Sequence, residues 1–230
     1  MIYTIADLHL SLATDKPMDV FGDKWRGYVG RLEENWQNVV SKDDTVVIPG
    51  DISWAMKLED ALADFTFIDR LNGKKIIFKG NHDYFWETNA KLSAFFEKNN
   101  IKTISMLKNT ALEVENIAVC GTKGFCYDTD ISKDQNAKLL NRETLRLKAS
   151  LEDANRFGDK EKVVFLHYPP VYRNNCIREL IDCMKEHGVK RCYYGHLHSS
   201  GIENGFQGEF EGITFKLISA DGIDFCPIKI

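Results

Sequence analysis

At 230 residues the chain can bury a large core and fits one α/β domain of ordinary size. Its net charge of -4 excludes a protein that grips long nucleic acid through a broad basic face, while leaving a short or small phosphorylated ligand open. No apolar stretch approaches the roughly 20 residues of a membrane span, and Met1 leads directly into a strand-like run with no basic segment and apolar core ahead of it, so a cytoplasmic protein is expected.

Ile2-Tyr3-Thr4-Ile5-Ala6 reads as the first strand and ends at Asp7 and His9. Residues 10–22, with Ser11, Asp15, Pro17 and Gly22, read as a loop. Trp25, Tyr28, Leu32, Trp36 and Val39 then recur at steps of three and four, one face of an amphipathic helix. Ser41-Lys42-Asp43-Asp44 turns the chain into a second strand, Thr45-Val46-Val47-Ile48, which stops at Gly50-Asp51. A helix is expected to follow Asp51, with Leu58, Leu62, Phe65 and Ile68 on its buried side and Asn72-Gly73 as its stop. Lys75-Ile76-Ile77-Phe78-Lys79 forms the third strand and empties into Gly80-Asn81-His82-Asp83, after which a third helix carries Leu92, Phe95 and Phe96. Strand and helix alternate up to this point, the signature of a parallel sheet.

From residue 101 the rhythm changes. The runs 101–106, 110–115 and 117–120, separated by Lys108-Asn109 and Asn116, read as an antiparallel meander. Residues 121–131 form a glycine-bearing loop with Phe125, Cys126 and Tyr127, a position suited to a lid. Ser132-x-x-Gln135 has the form of a capping box, and Leu140, Thr144, Leu147, Leu151 and Ala154 give a long helix ending near Phe157-Gly158. Val163-Val164-Phe165-Leu166 is a strand ending at His167, followed by Pro169-Pro170 and a helix bearing Ile177, Leu180, Ile181 and Met184 that stops at His187-Gly188. Arg191-Cys192-Tyr193-Tyr194 is a strand ending at Gly195-His196-Leu197-His198, and residues 214–219 and 227–230 give two final strands. With no linker, low-complexity segment or repeat, the chain reads as a single domain, 1–230, built from two mixed sheets packed face to face with helices outside.

The six cysteines include no C-x-x-C pair, which removes zinc-knuckle and thioredoxin readings, and Cys120 and Cys192 sit inside apolar strands as core filler. Singly, the polar strand ends have plain structural explanations. Asp7-x-His9 can be an Asx turn, Gly50-Asp51 a helix cap, and His167 a core histidine bonded to a carbonyl. His196 and His198 say more, since residues two apart in an extended strand point the same way. His187 has a helix C-terminus to serve and is given no catalytic role.

The constellation changes the reading, because five of six histidines, two aspartates and an asparagine fall at the carboxyl ends of strands, where α/β sheets bind ligands. Asp7, His9, Asp51, Asn81, His167, His196 and His198 offer seven donors, too many for one four-coordinate metal and the right number for two ions sharing a carboxylate. Two divalent ions about 3.5 to 4 Å apart repel by something of order 20 kcal/mol at an effective dielectric of 20, so bridging anions are required, and Asp51 and a hydroxide are the natural ones. The mixed oxygen and imidazole set suits manganese, iron or zinc. Such a site stays about one charge positive, which favours an anionic phosphate over a neutral amide.

In order and in type, residues 7–9 (D-x-H), 50–51 (G-D), 80–83 (G-N-H-D), 167 (H) and 195–198 (G-H-x-H) resemble the five motif blocks of the calcineurin-like metallophosphoesterases. The resemblance spans about 190 residues and implies a four-layer α/β/β/α sandwich. It implies one ion on Asp7, His9, Asp51 and His198 and a second on Asp51, Asn81, His167 and His196. It also implies that His82 serves the substrate; the mechanism expected is attack of the bridging hydroxide on phosphorus, with His82 stabilising the transition state and protonating the leaving oxygen and Asp83 orienting the loop or its neighbouring imidazole. The substrate expected is a small phosphomonoester or phosphodiester.

Ile52-Ser53-Trp54-Ala55 stands where the protein Ser/Thr phosphatases of that family carry aspartate-arginine-glycine, which argues against a phosphoprotein substrate. A nuclease is the alternative enzyme, disfavoured by the missing basic stripe. A non-catalytic scaffold is the alternative outside enzymes, disfavoured by the intact donor set. Arg173 reads as a solvated loop charge. Trp54, Tyr84, Phe85, Trp86, Tyr168 and Tyr172 crowd the motif loops and read as rings packed beneath them rather than as a stacking platform for a base.

Overall fold

The computed structural model describes residues 1–173 and 175–230 and divides into two compact units. The first holds Met1–Met106 and Ile218–Ile230, the second Leu107–Leu217. In chain order the first unit runs β1 (Ile2–Thr4), α1 (Tyr28–Val39), β2 (Thr45–Pro49), α2 (Leu62–Arg70), β3 (Lys74–Phe78), α3 (Asn89–Lys98) and β4 (Ile104–Met106). The second runs β5 (Leu112–Val114), β6 (Ile117–Thr122), α4 (Lys133–Asp153), β7 (Glu161–Leu166), β8 (Val171–Tyr172), β9 (Asn175–Cys176), α5 (Arg178–Glu186), β10 (Arg191–Tyr194), β11 (Gly208–Phe210) and β12 (Ile213–Leu217). The chain then returns to the first unit with β13 (Ile228–Lys229).

Both large sheets are mixed, and each unit carries its own helices and core. The first has the order β13-β1-β2-β3-β4, parallel throughout except for the antiparallel β13 edge. The second has the order β11-β12-β10-β7-β6-β5, with β6, β7, β10 and β12 parallel and an antiparallel strand at each edge. The central strands are buried on both faces, which is why they appear in the sequence as continuous apolar runs rather than alternating ones. Tyr3, Val46, Ile48 and Ile77 join Trp36, Phe65 and Leu92 in one core cluster. Cys120, Val164, Cys192 and Phe215 join Leu147, Leu180 and Met184 in the other. All six cysteines are free thiols.

The capping box at Ser132 forms as the sequence implies, Gln135 N–H donating to Ser132 Oγ at 3.2 Å and Ser132 N–H to Gln135 Oε1 at 2.9 Å. Four expectations are corrected. Trp25 is buried, yet it lies in a short 3-10 turn separated from α1 by Gly27 at φ 63°. The helix after Asp51 begins only at Leu62, so Leu58 lies ahead of it in a turn. After Asp51 the backbone continues strand-like pairing instead: Ser53 bridges Leu10 in parallel and Trp54 N–H donates to Leu10 O at 2.9 Å, while the N–H groups of Ile52 and Ser53 donate to the Asp83 carboxylate.

The third correction concerns the meander. β4 pairs parallel with β3 in the first sheet, β6 pairs parallel with β7 across the α4 crossover, and of these three runs β5 and β6 alone pair as a hairpin, turning at Glu115 with φ 51°. The fourth is the pairing of His196 with His198: β10 ends at Tyr194 and His196 takes φ 74°, so extended-strand alternation does not govern that pair. The short strands β8, β9 and β11 have no apolar period in the sequence and were not expected. Among the described residues no helix is long and apolar enough to cross a membrane.

Candidate metal centre

Past the ends of β1 and β2 the two chains stay in register as loops. Asp7 N–H donates to Gly50 O at 3.0 Å, His9 N–H to Asp51 O at 2.9 Å and Leu10 N–H to Ile52 O at 2.9 Å. This ladder is irregular, because Asp7, His9 and Asp51 adopt φ of 61°, 45° and 51°, a left-handed conformation costing a non-glycine residue about 1 to 3 kcal/mol. In the second unit His196 carries the same signature at φ 74°. Four of the seven expected ligands therefore sit on strained backbone, where surrounding hydrogen bonds must hold them. Buried Tyr28 is one such restraint, its hydroxyl donating to His9 O at 2.6 Å, and burial raises the pKa of that phenol and keeps it a donor.

Asp83 is the main restraint. Fully buried, its carboxylate accepts from Asp51 N at 3.0 Å, Ile52 N at 2.7 Å, Ser53 N at 3.3 Å and Gly80 N at 2.7 Å, tying the loop after β3 to the loop after β2. Burial, and after it the Asp51 carboxylate, push the Asp83 pKa up, while the N–H groups of Gly80, Ile52 and Ser53 favour the anion. Ser53 is held in turn by its hydroxyl on buried Asp64, which also accepts from Leu12 N at 2.8 Å.

Asp51 is the point on which these contacts converge. Its Oδ1 accepts the His82 backbone N–H at 2.8 Å, and its Oδ2 lies 3.7 Å from His9 Nε2. That separation is too long for a hydrogen bond and close to the roughly 3.4 Å between two ligands about 2.1 Å from a tetrahedral ion. A carboxylate oxygen and an imidazole nitrogen at this spacing are donors of the kind that suit a divalent transition metal. Gly80 completes the arrangement by lacking a side chain: a Cβ there would stand 2.1 Å from Asp51 Oδ1 and 2.3 Å from Asp51 N. Gly80→Ala is therefore expected to destabilise the fold by about 3 kcal/mol or more, measured by urea denaturation. Gly30→Ala, at an exposed α1 position with no heavy atom within 4 Å of the added Cβ, should be neutral or stabilising by a few tenths of a kcal/mol to about 1.

The imidazole of His82 is half-buried and faces Trp54, ring centroids 4.4 Å apart, with His9 at 5.7 Å and the Tyr84 hydroxyl 3.4 Å from its Nδ1. Trp54 also stacks on His9 at 4.9 Å and carries Lys16 Nζ 4.5 Å above its ring. The packing role expected for the motif aromatics thus divides. Phe85 enters the core edge-on to Phe65, whereas Trp54 lies against two site imidazoles and Tyr84 is exposed. The position of Trp54, three residues after Asp51, was the available signal for its role.

In the second unit, His167 follows β7 and is fully buried. Its backbone N–H and that of Tyr168 both donate to Lys123 O, at 3.2 and 2.9 Å, and its carbonyl accepts from Gly195 N at 3.1 Å. His167 and His196 stand edge to face at 5.1 Å, with Tyr168 4.6 Å from His196. His198 has extended backbone, φ -121°, and opens a 3-10 turn. Asn81 is half-buried directly after Gly80. Arg173 is engaged by Asn204, its Nε donating to Oδ1 at 2.7 Å, and His187 Nδ1 lies 2.8 Å from Cys183 O.

The family model of the calcineurin-like phosphoesterases matches residues 1–200. No curated protein sequence matches the chain. Among solved structures, a phosphopantetheinyl hydrolase from Mycobacterium tuberculosis is similar in fold, with a TM-score of 0.55 at 13% identity, over 95% of this chain and 88% of that one. A protein of unknown function from Aquifex aeolicus aligns with a TM-score of 0.52 at 14% identity, over 99% of this chain and 94% of the other. At such identities these likenesses speak for the fold alone.

Proposed function

Because the chain belongs to the calcineurin-like phosphoesterase family, we propose that it is a dinuclear, transition-metal-dependent hydrolase acting on a small phosphomonoester or phosphodiester. One ion is assigned to Asp7, His9, Asp51 and His198 and the other to Asp51, Asn81, His167 and His196, the two units serving as one domain over residues 1–230. The observation that carries this reading is the environment of Asp51, a carboxylate on strained backbone, held by Asp83 and set 3.7 Å from His9 Nε2. When bound, manganese, iron or zinc would supply Lewis acidity toward the phosphate oxygens and make a water acidic enough to serve as nucleophile near neutral pH.

The remaining tasks fall to the chain itself. Asp83 keeps the loops after β2 and β3 in one arrangement. Trp54 covers one side of the His82 ring and limits its rotation. With the Tyr84 hydroxyl beside Nδ1, Nε2 of His82 is the nitrogen assigned to protonate the departing oxygen. The purified chain is expected to hydrolyse p-nitrophenyl phosphate or its bis ester with manganese present. Chelation should lower the rate at least about a hundredfold and manganese should restore it. Failure on both esters would make the protein a scaffold, and nicking of plasmid DNA would make it a nuclease.

A further inference from the structure

The second unit contains a cleft of about 580 Å³, within the size range of small-molecule sites. Its walls come from three segments, and Phe125, Tyr127, Pro170, Tyr172, Ile177 and His196 line it. No Asp, Glu, Lys or Arg is among the described lining residues. The nearby guanidinium of Arg178 reaches Cys176 Sγ at 3.4 Å but is committed to Glu211, at 2.7 and 3.1 Å, and to Asp182 at 3.3 Å.

The wall is built rather than loose. Lys123 O accepts from the backbone of His167 and Tyr168, and Gly124, at φ 75°, runs so close to Tyr168 that a Cβ would meet its carbonyl oxygen at 3.2 Å. Phe125 is thereby fixed in the core. Tyr127 stands edge-on to it at 5.1 Å and is 65% exposed. The glycine-bearing loop, which the sequence could not place, supplies one wall of this cleft.

His196 belongs both to this wall and to the ligand set assigned above, so a phosphorus held beside it has the cleft within reach of one ester substituent. Resting on the phosphoesterase reading, we propose that the cleft receives the leaving group, and that the substrate class is a phosphoester of an uncharged alcohol bearing a flat ring. In the reaction the P–O bond to that alcohol breaks, water oxygen forms the new bond to phosphorus, and the alcohol departs with a proton. Described lining residues with no charged side chain disfavour alcohols that carry further phosphates, since each would enter without a counter-charge from them. Rings of Phe125, Tyr127 and Tyr172 offer edges and faces to a flat group.

The test compares 2-naphthyl and methyl phosphate, and the methyl diester of each, on manganese-loaded wild type, Tyr127→Ala and Cys126→Asp. Both substituted residues are exposed, so the fold is not at risk. Each variant should lose about five- to tenfold in kcat/KM on the naphthyl ester and stay within about twofold on the methyl ester. An equal loss on both esters, or none on either, overturns the assignment. Binding of 2-naphthol, followed by its fluorescence, gives a readout independent of turnover and should weaken in both variants; equal affinity in all three proteins overturns the proposal. A wild type that hydrolyses none of the esters, yet binds 2-naphthol more tightly than the variants, overturns the phosphoesterase reading and supports the ring preference of the cleft.

Discussion

Asp51→Asn is expected to lower turnover at least about a thousandfold, equivalent to about 4 kcal/mol of lost transition-state stabilisation, and to strip most of the bound transition metal. The side chain keeps its shape, so the effect must come from charge and from donor–acceptor polarity. At present Oδ1 accepts the His82 N–H at 2.8 Å and Oδ2 faces His9 Nε2 at 3.7 Å. In one orientation the amide NH₂ points at the His82 N–H, donor against donor, and displaces the loop that carries Asn81 and His82. In the other it points toward His9 and removes the carboxylate charge that faces the imidazole. Neither orientation leaves a carboxylate able to be shared by two cations. Metal content by emission spectroscopy, beside rates on a generic ester and a circular dichroism spectrum like that of wild type, checks this outcome. Activity above about a tenth of wild type would remove Asp51 from the centre of the site.

His82→Ala is expected to lower kcat by about 10² to 10⁴, the range for losing a positioned general acid, with metal content unchanged. The contacts favour this separation. His82 fixes its place through its backbone N–H, while its ring lies against Trp54 and near the Tyr84 hydroxyl. Truncating the ring therefore leaves the Asp51 contact in place. The size of the loss should depend on the leaving group: large for an alkyl alcohol, whose oxygen needs a proton, and small for p-nitrophenol, which departs as a stable anion. A loss equal for both alcohols would assign His82 to charge stabilisation alone. A collapse of metal content would make it a ligand.

Much of this could be read from the residues in order. Central strands buried on both faces must be apolar throughout, so Thr45-Val46-Val47-Ile48 and Val163-Val164-Phe165-Leu166 announce themselves, and a polar residue ending such a run marks the sheet's ligand-binding end. The Ser132 capping box is legible for a similar reason, since both of its bonds lie within three residues. Non-local choices were not legible. Ile104–Met106 has the same pattern whether it turns back on its neighbour or crosses over to lie parallel with β3, and only the packing of α3 and the first core selects the second. The helix expected after Asp51 gives way to pairing with a distant segment, Ser53 bridging Leu10 and Trp54 N–H donating to Leu10 O. The aromatic residues divide in the same way: closeness to a motif marks Trp54 and Phe85 alike, and packing sets Trp54 against His82 and Phe85 against Phe65.

The sequence by itself determined the strands, most of the helices, the family and the identity of the candidate donors, because each of these is written in a local period or in residue type. The tertiary structure alone decided the left-handed backbone of Asp7, His9, Asp51 and His196, the clamp made by Asp83, the empty space required at Gly80 and the cleft that His196 lines. The physical reason is that φ at a strained residue, the number of donors a buried carboxylate can collect and the shape of a cavity depend on atoms brought close by folding, to which neighbours in the chain contribute little.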